Sequence, residues 1–275
     1  MKGNNMVTWQ SGVVDSDGVK IRYQRAGSGV PFIMAHGFSD NGNCWKAWAE
    51  RNFVAQFDVV LLDARNHGQS DRTESHNGGI DRAEDTKALI EQLHLNKPFL
   101  IGHSMGADMS LHAATMYPEL LRAVILEDPP MWGVPAVPLS DAERQANIDR
   151  FEKWISEMKH TPAPELLMRC IRENPTWRAE ELEAWVQSKH EFGVPVSHRD
   201  RSQPWQTLFA QVGVPTLLIC SDEQKGSIAP AASVAQARAA SAHVEVAHIR
   251  NAGHCIRREA PDAFTALVRE YLQRH

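Results

Sequence analysis

Six short apolar runs, near residues 31–35, 58–62, 98–101, 123–126, 215–220 and 244–249, recur along the chain with longer, helix-patterned segments between them. Several of these runs are apolar at every position rather than at alternate ones. A strand with one wetted face alternates. A strand covered on both faces has no polar side, so the pattern predicts strands buried between two layers of helices. Helical periodicity falls at residues 81–95, 104–117, 231–240 and 261–273, and Pro261 suits the first turn of the last of these. Strand and helix in alternation imply a mostly parallel sheet with right-handed crossovers. The stretch 11–25 departs from this rhythm and reads as a hairpin turning at Asp15-Ser16-Asp17-Gly18, an antiparallel start to the sheet.

From about 131 to 204 no convincing strand occurs, yet four of the eight tryptophans lie there: Trp132, Trp154, Trp177 and Trp185. Residues 141–158 and 179–190 have the spacing of amphipathic helices, separated by Pro-containing turns. The expected organisation is a core built from 1–130 and 205–275, with 131–204 inserted as a helical cap after the sixth strand. A routine helical layer on the core is the plainer alternative.

A chain of 275 residues is long enough to bury a large core in one domain. A net charge of −5 with no Lys/Arg-rich run argues against nucleic-acid binding. Nothing approaches the roughly 18–20 apolar residues needed to cross a bilayer, and the first residues lack the apolar stretch of a secretory signal. Cys44, Cys170, Cys220 and Cys255 are widely spaced with no CxxC pair, so they are expected to be free thiols in a reducing, cytoplasmic compartment. Oligomeric state is not legible from one chain; a homodimer is one possibility.

Chemistry concentrates at four places. Gly102-His103-Ser104-Met105-Gly106 is a G-x-S-x-G at a strand-to-helix junction. Glycines two residues either side of the serine permit a sharp, strained turn that lifts its hydroxyl above the strand ends, with a helix N-terminus beneath. His36-Gly37-Phe38 follows an earlier strand. The N–H of Phe38, with that of Met105, is positioned to hold an oxyanion. Gly253-His254 lies just past the last strand, 150 positions after Ser104, where a neutral imidazole can take the serine's proton. The segment Asp63-Ala64-Arg65-Asn66-His67-Gly68-Gln69-Ser70 follows the second run.

Taken in order, these segments resemble the α/β-hydrolase superfamily, over roughly residues 20–130 and 204–275. The resemblance implies an eight-stranded, mostly parallel sheet flanked by helices, and a nucleophile–acid–histidine set. Two departures stand out. The superfamily's D-x-R-G-x-G-x-S has Asn66 in place of its first glycine, a residue that tolerates left-handed backbone angles. Asp63 and Arg65 of this segment are expected to tie strand end to loop. The second departure concerns the acid: where relatives carry it after the seventh strand, this chain reads Ser221-Asp222-Glu223-Gln224, with an uncharged Gln224 at the usual place. Asp128, at the end of the sixth strand, is ranked first, Asp222 second and Glu127 third, the last because it should point to the opposite side from Asp128.

The expected chemistry is acyl transfer to water by Ser104 and His254, with no metal or organic cofactor. No H-E-x-x-H zinc pattern is present, since His190-Glu191 is followed by Val194 where a second histidine would stand. Met131 and Trp132, directly after the sixth strand, are expected to line an apolar substrate pocket with Phe38 and Met105. A small carboxylic ester or lactone is the first expectation. Cleavage of C–C bonds or of amides and carbamates, and non-catalytic ligand reception, are the alternatives. An aspartate-nucleophile dehalogenase or epoxide hydrolase is disfavoured because Ser104 occupies that position. Arg257 and Arg258 are expected to be solvated, with capture of an anionic substrate as the lesser reading.

Overall fold

The computed structural model describes residues 7–73, 78–131, 140–193 and 204–275. The chain begins with the hairpin β1 (Gln10–Ser16) and β2 (Val19–Gly27), in register Ser16 opposite Val19. Asp17 and Gly18 between them both have positive φ (50° and 80°), the primed-turn geometry that matches strand twist. There follow β3 (Val30–Ala35), α1 (Asn43–Asn52), β4 (Phe57–Leu62), α2 (Gly79–Gln92), β5 (Phe99–His103), α3 (Met105–Met116) and β6 (Ala123–Glu127). After β6 the described chain runs through α4 (Asp141–His160), α5 (Ala163–Glu173), α6 (Ala179–Glu191) and α7 (Trp205–Gln211). It returns through β7 (Thr216–Cys220), α8 (Ala231–Ala240), β8 (Val244–His248), α9 (Ile256–Glu259) and α10 (Pro261–Arg274).

These strands form one eight-stranded sheet in the order β1-β2-β4-β3-β5-β6-β7-β8. β2 pairs antiparallel with both β1 and β4, and every pairing from β4 through β3 to β8 is parallel. The unbroken apolar runs find their reason here. Along β3, Ile33 and Ala35 enter one core layer while Phe32 and Met34 enter the other. The first layer also holds residues of α2, α3 and α8, and the second holds Trp45 and Trp48 of α1 with Phe264, Val268 and Tyr271 of α10. Burying each such large apolar side chain contributes roughly 1.5–3 kcal/mol, so the sheet is held from both sides.

Helices α4 and α6 cover the segments expected to be helical, and α5 between them occupies a stretch expected as turns. α1 also escaped the sequence reading. Its buried residues are Cys44, Trp45, Trp48 and Ala49, a narrow stripe set among Lys46, Glu50 and Arg51. The four cysteines are free thiols. Among the described residues no helix is long and apolar enough to cross a membrane.

Parallel strands point their carboxyl ends the same way, and that edge is where the loops after β3, β5, β6, β7 and β8 gather. Phe38, Ser104, Asp128, Asp222 and His254 sit on these loops, and the 63–70 segment follows β4.

Candidate active site

The turn after β5 has the strained geometry that its glycines foretold. Ser104 stands at φ 52°, ψ −115°, directly before the first residue of α3. A side-chain carbon at position 102 would lie 2.1 Å from the Gly106 carbonyl oxygen, and one at 106 would lie 2.3 Å from that of Ala35. Only glycine fits at either place, and strain of this kind costs about 1–3 kcal/mol. The Ser104 N–H donates to the Glu127 carbonyl (2.9 Å), which fixes the elbow to the end of β6.

His254 leaves the end of β8 on a loop braced from four directions. The His103 Nε2–H donates to the His254 carbonyl (3.0 Å), and the two imidazoles lie with centroids 4.6 Å apart. Ser221 Oγ donates to the Gly253 carbonyl (2.6 Å). The Asp222 carboxylate accepts from the Asn251 N–H (2.8 Å), and Glu259 accepts from the N–H groups of Gly253 (2.6 Å) and Cys255 (3.1 Å). His103 is bonded in sequence to Ser104, so positions 104 and 254 come together at one rim of the sheet. Among the described residues Ser104 Oγ donates to no acceptor. Such contacts are often long in resting sites and tighten when a substrate arrives.

The three carboxylates weighed for the acid occupy three different places. Asp128 is fully buried, and its Oδ2 lies 2.7 Å from His254 Nδ1. That carboxylate also accepts from Ser227 Oγ (2.5 Å) and the Ile228 N–H (2.9 Å), so donors fix both its oxygens. Asp222 braces Asn251 instead and approaches His248 (3.3 Å). Glu127 Oε1 accepts from the Arg257 N–H (2.7 Å). Ser227, Ile228 and Glu259 belong to no motif, and His103 fills a variable place within one; only their partners reveal what they do.

Glu127 has a further consequence. Burial pushes its carboxyl up to about 7, against the pull of Arg257, and its Oε2 has no partner among the described residues. In the unfolded chain the group ionises near 4.5. Below that pH it is protonated in both states and favours neither. Between about 4.5 and 7 the unfolded chain ionises while the folded chain keeps its proton, so stability falls across that window and stays at its lower value above 7, where the folded chain carries the buried charge. Glu127→Gln keeps the acceptor for Arg257, so calorimetry should show a Tm several degrees above wild type at pH 8 and almost no difference near pH 4.5, at about 2–4 °C per kcal/mol for a chain of this class. Equal shifts at both pH values would contradict this.

Phe38 and Met105, the two oxyanion candidates, lie at the starts of neighbouring turns. No acceptor among the described residues takes either N–H. The Phe38 ring packs against both the sheet core and the α4–α6 side. Its centroid is 5.2 Å from Phe151, 6.4 Å from Trp154 and 5.7 Å from Phe192. Met131 is fully buried in the core layer that also contains Met105, and Trp132 lies outside the described residues.

The 63–70 segment behaves as a brace. Asp63 accepts from the Gly42 N–H (2.8 Å) and the Gln69 N–H (2.9 Å), while Arg65 makes a forked pair with Asp85 of α2 (2.8 and 2.5 Å). Asn66 takes φ 69°, the left-handed angle a glycine would readily supply, and its side chain is held by Thr73.

Arg257 and Arg258 differ from expectation. They are 4% and 3% exposed, and neither is solvated nor free for a ligand. Arg257 donates to Glu181 (2.6 Å) and the Cys44 carbonyl (3.0 Å), with its guanidinium 4.5 Å from the Trp45 ring centroid. Arg258 donates to Asp40 (2.9 Å) over the Trp177 ring. Lys189 of α6 also reaches Asp40 (2.7 Å). These buried pairs clamp α6 to the core. Removing one partner of such a pair typically costs about 3–5 kcal/mol.

A family model described as the alpha/beta hydrolase fold matches residues 30–261. The N-formylmaleamate deformylase of Pseudomonas putida (strain KT2440) is 26% identical over 271 residues, 95% of this chain and 96% of that protein. Among solved structures, E-2-(acetamidomethylene)succinate hydrolase superposes with a TM-score of 0.78 at 19% identity, covering 97% of this chain and all (100%) of its own. Est816, described as an N-acyl homoserine lactone degrading enzyme, superposes with a TM-score of 0.73 at 22% identity, over 94% of this chain and 100% of its own.

Proposed function

This chain belongs to the α/β-hydrolase family, and from that premise we propose that it is a serine hydrolase working through an acyl-enzyme. The observation that carries the reading is the contact between His254 Nδ1 and the buried Asp128 carboxylate, 2.7 Å, beside the strained turn of Ser104. An ionised carboxylate there leaves the proton on Nδ1 and the lone pair of Nε2 free to act as base. Ser104 Oγ attacks the substrate carbonyl as His254 takes its proton. The N–H groups of Phe38 and Met105 hold the oxyanion, and His254 returns the proton to the leaving group. A water deprotonated by His254 then breaks the acyl–Oγ bond, releasing the acid and the serine.

The substrate we propose is a small, largely apolar carboxylic ester or lactone, admitted beneath a cap formed by the helical insertion 131–204. The aromatic group of Phe38, Phe151, Trp154 and Phe192 supports an apolar pocket beside the reacting carbonyl. The lactone-degrading neighbour supports the same choice. Amide cleavage is the second reading, favoured by the N-acyl groups in the substrates for which the deformylase and the acetamidomethylene hydrolase are named.

A substrate panel tests both. With p-nitrophenyl esters of short acyl chains, stopped-flow absorbance should show a burst of product equal to the enzyme concentration, and Phe151→Ala should raise KM for the longer acyl chains several-fold. Faster turnover of an N-acyl amide would favour the second reading. Preferential cleavage of a vinylogous diketone, or binding without any turnover, would overturn both.

A further inference from the structure

His36 directly follows β3 and is buried, yet the reaction as written gives it nothing to do. Its two ring nitrogens face opposite kinds of partner. Nε2 lies 3.0 Å from the Ala64 N–H, a donor. Nδ1 lies 2.8 Å from the Gly37 carbonyl, an acceptor. A nitrogen that accepts carries a lone pair, so the proton of the neutral ring must be on Nδ1. Both contacts select this one tautomer. They also exclude the imidazolium, which would set an Nε2–H against the Ala64 N–H. Burial acts in the same direction and lowers the pKa of the ring.

The carbonyl that receives the Nδ1 proton is one end of a single planar unit, whose other end is the Phe38 N–H. We infer that His36 is a positioning residue for the oxyanion hole: its Nδ1–H, donating to the Gly37 carbonyl, aligns and polarises the Gly37–Phe38 peptide so that the Phe38 N–H becomes a stronger, fixed donor. This rests on the serine-hydrolase reading and deepens it. The line of polarisation runs from Nδ1–H to the carbonyl oxygen, across the amide, to the N–H and the developing oxyanion. Each bond in such a chain strengthens the next by about 10–30%. The Asp40 N–H donates to the same Gly37 oxygen at 3.0 Å, so both lone pairs of that oxygen are engaged and the peptide plane is held from two sides. Rotating the plane would break both bonds at once.

Two near-isosteric variants separate the halves of the imidazole. In His36→Asn the amide nitrogen falls near the position of Nδ1 and keeps the donor to Gly37. In His36→Gln the terminal oxygen falls near Nε2 and keeps the acceptor for Ala64, but the Gly37 donor is lost. Removing an oxyanion donor outright lowers kcat about 10²–10³-fold, so weakening and tilting one should lower it roughly tenfold or more. His36→Gln should therefore lose about that factor in kcat with KM nearly unchanged. A trifluoromethyl ketone, which binds as the tetrahedral oxyanion, should lose affinity for this variant in parallel. His36→Asn should stay within about threefold of wild type on both measures.

Fluorophosphonate labelling of Ser104 in the wild type keeps the two readings apart. No labelling sinks the hydrolase assignment itself. Labelling with Asn and Gln variants equally impaired, or with the loss confined to KM, overturns the role of His36 alone. In ¹⁵N spectra of the wild type, the His36 ring should show a protonated Nδ1 and a bare Nε2; the opposite tautomer would also overturn it.

Discussion

Asp128→Asn should lower kcat by about 10⁴-fold with KM little changed, the scale seen when a histidine's orienting carboxylate becomes an amide. The argument is geometric and electrostatic. Asp128 is fully buried, receives Ser227 Oγ and the Ile228 N–H, and lies 2.7 Å from His254 Nδ1. An amide in its place either presents its NH₂ to the imidazole, forcing the wrong tautomer, or offers an oxygen with no charge to balance the imidazolium. Asp222→Asn, by contrast, keeps an oxygen for the Asn251 N–H and removes no contact to His254, so its kcat should fall by no more than about threefold. Steady-state kinetics on the two variants decide the matter. If Asp222→Asn were the inactive one, the acid would have been misplaced.

Ser104→Ala should remove turnover almost entirely, by a factor on the order of 10⁶ in kcat where a serine nucleophile carries the reaction. Substrate affinity should persist, because the aromatic rings around Phe38 and the two N–H donors are untouched. The initial burst should vanish with the steady rate. The strain at φ 52° adds a second effect. Alanine tolerates this angle no better than serine, so the variant gains no relief and its thermal midpoint should match wild type within about 1–2 °C. Burst amplitude and calorimetry on the same sample check both statements. A variant keeping a tenth of wild-type turnover would rule out the serine as nucleophile.

Much of this site was legible because its signals are local. Ser104 was marked by glycines whose absent side chains leave room for Gly106 and Ala35 carbonyls, and by the buried strand before them. His254 was marked by a glycine and by the end of the last strand. Asn66 illustrates a departure read correctly, since an asparagine accepts the left-handed angle of 69° that the turn demands.

What stayed open depended on which strands lie side by side. β6 sits between β5 and β7 in the sheet, which brings its end, Asp128, beneath His254. Sheet order is a property of the assembled chain, so the sequence ranked Asp128 and Asp222 closely. Arg257 and Arg258 were misread for the same reason. Nothing within their own helix neutralises them; Glu181 is 76 positions away and Asp40 is 218. Only the fold makes them interior. His103 and Ser227 act through hydrogen bonds to partners 151 and 99 positions distant, which leave no trace in local pattern.

The most direct test is covalent. Intact-mass analysis after treatment with a fluorophosphonate should show one adduct per chain, peptide mapping should place it on Ser104, and His254→Ala should slow its formation by several orders of magnitude. An unlabelled wild-type chain, or an adduct at any other residue, would contradict the proposal that the hydroxyl at 104 is activated by the imidazole at 254.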